Sequence, residues 1–127
     1  MADPFWFKAG VRAVRSVGYT AAAPLVLTLA PAGHAPGYYE INQVVVLRTL
    51  ATGGALARVF DYSTPTVGAA QLNVGSTNLT GFGGPIPAAT FSAYSDGANA
   101  MTLTFNPSSV TGSPVVDITA LATFIAP

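Results

Sequence analysis

From Leu25 onward, apolar residues fall in short runs or alternate with polar ones, and Gly, Pro, Ser, Thr and Asn clusters interrupt them about every ten residues. Alternation sends successive side chains to opposite faces of an extended chain, so the pattern predicts β-strands and not helices. Leu25, Leu27 and Leu29 mark the first strand, which ends in PAGHAPG at 31–37. The longest run is YYEINQVVVLRTLA. There Tyr39, Ile41, Gln43, Val45, Leu47 and Thr49 share the face expected to line the core.

Turn chemistry supplies the connections. Thr52, Gly53 and Gly54 predict a tight hairpin that returns ALARVFDY (55–62) antiparallel to the long strand, because glycine adopts the positive φ such turns need. Gln71 to Val74 reads as a weak strand. Residues 75–88 are rich in Gly and Pro and read as an ordered loop anchored by Leu79, Phe82 and Ile86. TFSAYS and AMTLTFN flank an Asp96-Gly97 turn and predict a second hairpin. In the last run, VVDITALATFIA, both faces are apolar enough that one is expected to meet a partner.

Seven or eight strands without a fixed repeat predict an all-β fold, an antiparallel β-sandwich that is jelly-roll-like. The expected organisation is an N-terminal docking arm over residues 1–20 and a β-sandwich domain over 21–127. The leader itself reads two ways. Asp3-Pro4 resembles a helix start, with Phe7, Val11 and Val14 on one face, whereas the alternation of Val11, Ala13, Arg15, Val17 and Tyr19 suits a strand. Gly10 weakens the helix, and the expectation is an arm that takes its structure from what it binds.

Composition sharpens this picture. Only 8% of the 127 residues are charged, half are hydrophobic, and the formal net charge is zero. A monomer of this mass exposes roughly 6,300 Å², about one charge per 600 Å², and so bare a surface favours association. Charge is also uneven: residues 1–16 hold Lys8, Arg12 and Arg15 against Asp3, while the rest hold Arg48 and Arg58 against Glu40, Asp61, Asp96 and Asp117. A neutral chain is a poor general binder of nucleic acid, which requires several phosphates to be neutralised. With no cysteine, disulfides, thiolate metal sites and thiol nucleophiles are excluded. Residues 19–35 superficially resemble a signal-peptide core, but Pro24 and Pro31 break them, and they are too short to span a bilayer as a helix. The expectation is a retained, soluble N-terminus without membrane contact.

Candidate chemistry is thin. His34 is the sole histidine and lies between Pro and Gly residues with no serine in a nucleophile-elbow setting, so it is expected to be a turn or solvent residue. Each of the five acids has a simpler role than paired-carboxylate catalysis: Asp3 as a cap, Asp96 in a turn, and Glu40, Asp61 and Asp117 on strands. Asp96 and Asn99 lack the further oxygen ligands that calcium takes. No metal, cofactor or enzymatic activity is expected. Tyr38, Tyr39 and Phe82 could form a sugar-binding platform, although core packing is the simpler expectation for each. Asn78-Leu79-Thr80 also fits a glycosylation triplet, which arises readily by chance. The sharpest candidate is the leader. Phe5, Trp6, Phe7, Lys8, Arg12 and Arg15 combine aromatic anchors with cations, a composition that suits protein docking first, with packing on the chain's own body and stacking on single-stranded nucleic acid as the alternatives.

With its short apolar leader and a cysteine-free, charge-poor body running through APGYYEINQVVVLRTLATGGALARVFDY and AMTLTFNPSSVTGSPVVDITALATFIA, the chain resembles the small virion proteins of tailed bacteriophages. Nearest in character are capsid decoration (cement) proteins and the β-sandwich domains of head spikes and fibres. The resemblance implies a protein bound outside an assembled capsid, often as a homotrimer, that ties major capsid protein subunits together. The alternative it implies is a spike or fibre domain that binds a receptor or glycan.

Overall fold

The computed structural model describes residues 11–81, 84–87 and 90–127, with side chains described for 13–81 and 90–127. Among the described residues every regular element is a strand: β1 (Val11–Tyr19), β2 (Leu25–Ala30), β3 (Gly37–Thr49), β4 (Gly53–Thr64), β5 (Gly68–Asn78), β6 (Gly84–Pro87), β7 (Phe91–Ser95), β8 (Met101–Thr111) and β9 (Val115–Ala126). Two antiparallel sheets result. One has the order β1-β9-β3, with β6 and β7 lying end to end along the free edge of β3; the other has the order β2-β8-β4-β5. Each sheet is therefore four strands wide, and every sequential connection between β1 and β9 crosses between sheets except β4 to β5 and β6 to β7. This is the double-sheet order of a jelly roll.

The expected face of β3 forms the core: Tyr39, Ile41, Gln43, Val45 and Leu47 are buried, while Thr49 lies beyond an irregularity in the β9 pairing and is exposed. Leu27, Leu29, Leu56, Phe60, Met101, Leu103 and Phe105 close on them from the other sheet, with Val116, Ile118 and Ala120 from β9. Phe60 meets Phe91 edge to face at 5.0 Å across the gap between the sheets. β9 runs between β1 and β3, which explains why its outward residues Thr119 and Leu121 are only half exposed.

Several expectations are corrected. The strand at 55–62 does not pair with β3; it lies in the opposite sheet between β8 and β5. Residues 50–52 form the crossing, where Ala51 N–H donates to Leu79 C=O and Thr52 N–H to Thr111 C=O. Likewise β7 pairs with β3 and β8 with β2 and β4, so Asp96-Gly97 turns the chain from one sheet to the other. In both cases the glycine-rich reversal is real, but a local turn signal carries no information about which sheet receives the next strand. The stretch 75–88 is partly strand: β5 runs to Asn78, and β6 pairs with Val44–Leu47. Its anchor Leu79 is fully buried, whereas the side chains of Phe82 and Ile86 lie outside the described residues.

Residues 11–19 of the expected arm form β1, which pairs with β9 in the first sheet. Val11 to Ser16 pair in register with Thr123 to Ile118, which makes β1 an edge strand. The pairing then slips, Tyr19 meeting Val116, because Val17 and Gly18 insert one extra residue. Gly18 takes a φ of +76°, as such bulges require. The bulge flips the alternation, so Val17 faces solvent while Tyr19 packs on the core.

Candidate interaction surface

Of the leader residues expected to dock, Phe5, Trp6, Phe7 and Lys8 lie outside the described residues. Arg12 belongs to β1 and is paired with Ala122; its side chain is not described. Arg15, opposite Thr119, is exposed on the outer face of the first sheet. That face carries a charge network. Asp117 Oδ1 accepts the Gly18 N–H at 2.8 Å and Oδ2 meets Arg48 Nε at 2.8 Å. The Gly18 N–H first, with Arg48 and Arg15 beside it, holds the Asp117 carboxyl below its usual range.

At the end of this face where β3 begins and β9 ends, the surface turns aromatic. Tyr38 and Tyr94 are direct partners across β3 and β7, with rings edge to face at 5.0 Å. Tyr38 is 52% exposed, and Ile125 beside it is 56% exposed because β9 bulges between Phe124 and Ala126. Glu40 follows Tyr38 on the same face, flanked by Thr123 on β9 and Ser92 on β7. Asn42 Nδ2 donates to Glu40 Oε1 at 3.5 Å. Of the expected platform residues, Tyr38 is thus exposed, and Tyr94 joins it. Tyr39 points the other way into the core, where burial pushes its hydroxyl up to about 12 while it donates to Ala35 C=O at 2.6 Å. Nothing local marks Tyr94 as the partner of Tyr38; only the long-range register joins them.

The sole histidine is in a loop, as expected, but it is buried and not at the solvent. His34 Nδ1 lies 2.8 Å from Pro31 C=O, and Nε2 lies 2.7 Å from Ser95 Oγ. The neutral tautomer that fits has Nδ1–H donating to the carbonyl and Ser95 O–H donating to Nε2. A serine against a histidine invites comparison with a nucleophilic pair, yet Ser95 is fully buried and the orienting group is a backbone carbonyl. The neighbouring carboxylate is engaged elsewhere: Asp96 Oδ1 accepts from Ser63 Oγ at 2.5 Å and from Ala98 N–H at 2.9 Å. These bonds, Ser63 foremost, depress the Asp96 carboxyl. The arrangement ties three segments together, since Gly33 N–H also donates to Gly97 C=O at 2.7 Å and Asp96 N–H to Ser63 C=O at 3.0 Å. Its chemistry is that of a latch between loops. Among the described residues, no cluster of three or more His, Asp or Glu could hold a metal.

Two further polar side chains sit in the interior. Arg58 shares the inward face of β4 with Leu56 and Phe60 and donates to Thr77 Oγ1 and, at 3.5 Å, to Val74 C=O, while its Nε–H has no partner. Burial lowers the guanidinium from its ordinary value. Gln43 is buried with both amide atoms unpaired. Parity along β4 puts Arg58 beside two core residues, a signal present in the sequence.

No protein-family model matches the chain, and no curated protein matches it in sequence. Solved structures do match in fold. The structure of infectious bursal disease virus Gx strain aligns at a TM-score of 0.57 with 16% identity, covering 90% of this chain and 32% of that one. The PRD1 vertex protein P5 aligns at 0.53 with 16% identity, covering 91% and 73%. The dimeric latent PorU of Porphyromonas gingivalis aligns at 0.53 with 12% identity, covering 92% and 13%. The chain thus spans about a third of the virus chain and a smaller part of PorU. At these identities the likeness is one of fold.

Proposed function

We propose that the chain is a structural virion protein that binds the outer surface of a phage capsid and stabilises it as a decoration or cement protein. It acts without catalysis or cofactor, as a homotrimer in contact with the major capsid protein. The observation that carries this reading is a jelly-roll sandwich whose exterior is charge-poor and apolar: Val17, Val26, Tyr38, Leu50, Val67 and Ile125 are all exposed on a chain with ten charged residues. Surface of this kind is stable in an assembly, where other protein covers it. The fold shared with a virus structure and a viral vertex protein supports the same reading.

Docking is assigned to Phe5, Trp6, Phe7, Lys8, Arg12 and Arg15. Because β1 starts at Val11, removing residues 1–10 spares every described strand, whereas a cut at residue 15 would strip half of β1 from the β9 edge. The 11–127 fragment should fold, with β-sheet circular dichroism like that of the full chain, and should fail to cosediment with capsids of the virus that encodes it. Capsid binding equal to that of the full chain would contradict the assignment.

The exposed Tyr38–Tyr94 pair favours a second reading, a head-spike or fibre domain that binds a glycan through its aromatic platform. It predicts binding of the isolated protein on a glycan array that Tyr38→Ser abolishes.

A further inference from the structure

We infer that Arg58 and Gln43 form an internal site for a small monovalent anion, a halide, between the two sheets.

Charge is the first argument. Arg58 is 6% exposed and Gln43 2%, and both lie on inward strand faces. The guanidinium donates through Nη1 to Thr77 Oγ1 and through Nη2 to Val74 C=O at 3.5 Å, two uncharged acceptors, while its Nε–H has no partner. Among the described residues no acid pairs with it. Asp61 is bonded to Gln71 at the surface, Asp96 is held in its loop by Ser63 and Ala98, Asp117 is paired with Arg48, and Glu40 sits on the outer face of β3. A buried cation is ordinarily matched by an anion, because the hydration it gives up has to be replaced.

Register is the second argument. Phe60 of β4 packs on Phe91, whose partner on β3 is Ile41. β3 and β4 run in opposite directions across the sandwich: Ser63 C=O, near the end of β4, accepts from Asp96 N–H, next to the Ser95 that pairs with Gly37 at the start of β3. Arg58 is two residues before Phe60 and Gln43 two after Ile41, so both are displaced in the same direction from that contact. The guanidinium and the amide thus share one layer between the sheets, and both amide atoms of Gln43 lack a partner.

The backbone makes room for the guanidinium. Ala57 pairs with Ser76 but Val59 with Asn73, so Val74 and Gly75 bulge opposite Arg58. Gly75 has a φ of +101°, and a Cβ on it would lie 3.1 Å from Arg58 Nη2. Beside Gln43 on β9 stands Ala120, a small side chain. The remaining neighbours are apolar: Phe105 stands beside Arg58, and Ile41, Val45, Leu56 and Phe60 are buried on either side of the layer. Donors without acceptors among apolar walls suit a weakly hydrated monovalent anion. Phosphate or sulfate would bring more charge and more oxygens than Arg58 and Gln43 can satisfy. A halide accepts from Arg58 Nε–H and Gln43 Nε2–H and clamps β4 to β3.

Thermal melts of the full-length chain in gluconate buffer at constant ionic strength, with chloride replacing gluconate, provide the test. Tm should rise by about 5 °C once chloride stands tenfold above its dissociation constant, and the chloride NMR line should broaden on adding protein. Arg58→Met should abolish both effects. Gln43→Met leaves the charge in place and should weaken chloride binding about tenfold, while remaining the more stable chain in pure gluconate, where the amide has nothing to bind. A Tm that chloride leaves unchanged, or a rise of the same size in Gln43→Met or Arg58→Met, would overturn the inference. Neither result bears on capsid binding, in which this interior layer takes no part.

Discussion

The carboxylate of Asp117 accepts the Gly18 N–H at 2.8 Å, pinning the bulge at which β1 changes face. Its other oxygen meets Arg48 at 2.8 Å, so one acid joins β1, β9 and β3. Because the bulge turns Tyr19 inward and leaves Val17 and Arg15 outside, the acid determines what the edge strand presents to solvent.

Asp117→Asn should lower Tm at pH 7, since the ion pair with Arg48 is lost. The folded-state carboxyl is depressed, so its contribution is present above the unfolded value of about 3.9 and is lost as pH falls through the lower folded value. The Tm gap between wild type and variant, followed by thermal melts from pH 7 downward, should therefore shrink below about pH 4. A gap independent of pH would refute the ionic part of the account.

Gly97 and Gly33 both have left-handed backbones, with φ of +81° and +89°. A Cβ on Gly97 would lie 2.1 Å from His34 C=O, while one on Gly33 meets nothing within 4 Å. Gly33→Ala should cost about 1 kcal/mol, the ordinary left-handed penalty, and Gly97→Ala at least about 2 kcal/mol because the loop latch must also open. Urea unfolding of the two variants measures the difference; equal costs would show that the latch yields freely.

Gln43→Met should stabilise the protein by about 1 kcal/mol, because it removes a buried amide with no hydrogen-bond partner and keeps the volume. Destabilisation in chemical unfolding would mean that the amide is satisfied in solution.

Phe60→Ala should cost about 3 to 5 kcal/mol, since Phe60 is fully buried and packs on Phe91 of the facing sheet. Tyr38→Ser, on the exposed patch, should change stability by less than about 0.5 kcal/mol. The same unfolding experiment separates the two, and a large loss at Tyr38 would make that ring structural.

Alternation alone identifies the inward face of β3 from Tyr39 to Leu47 and of β8 at Met101, Leu103 and Phe105, because burial on one face writes a period of two into the sequence. Partner choice is not written there. The reversals at Thr52–Gly54 and Asp96-Gly97 look like hairpins, yet each joins strands of different sheets, a decision made by packing between residues far apart in the chain. The same distance hides the surface. Tyr38 meets Tyr94 and Gly18 meets Asp117 only after β3, β7, β1 and β9 have found their register. His34 misleads for a related reason: its Pro and Gly neighbours suggest an exposed turn, while Ser95, 61 residues on, buries it.

A cryo-electron microscopy map of the virion to which the proposal assigns this chain tests the central claim most directly. The proposal predicts density for the two-sheet sandwich on the outer surface of the capsid. Sandwich density found inside the shell or only on the tail, or a capsid exterior without it, would contradict the proposal.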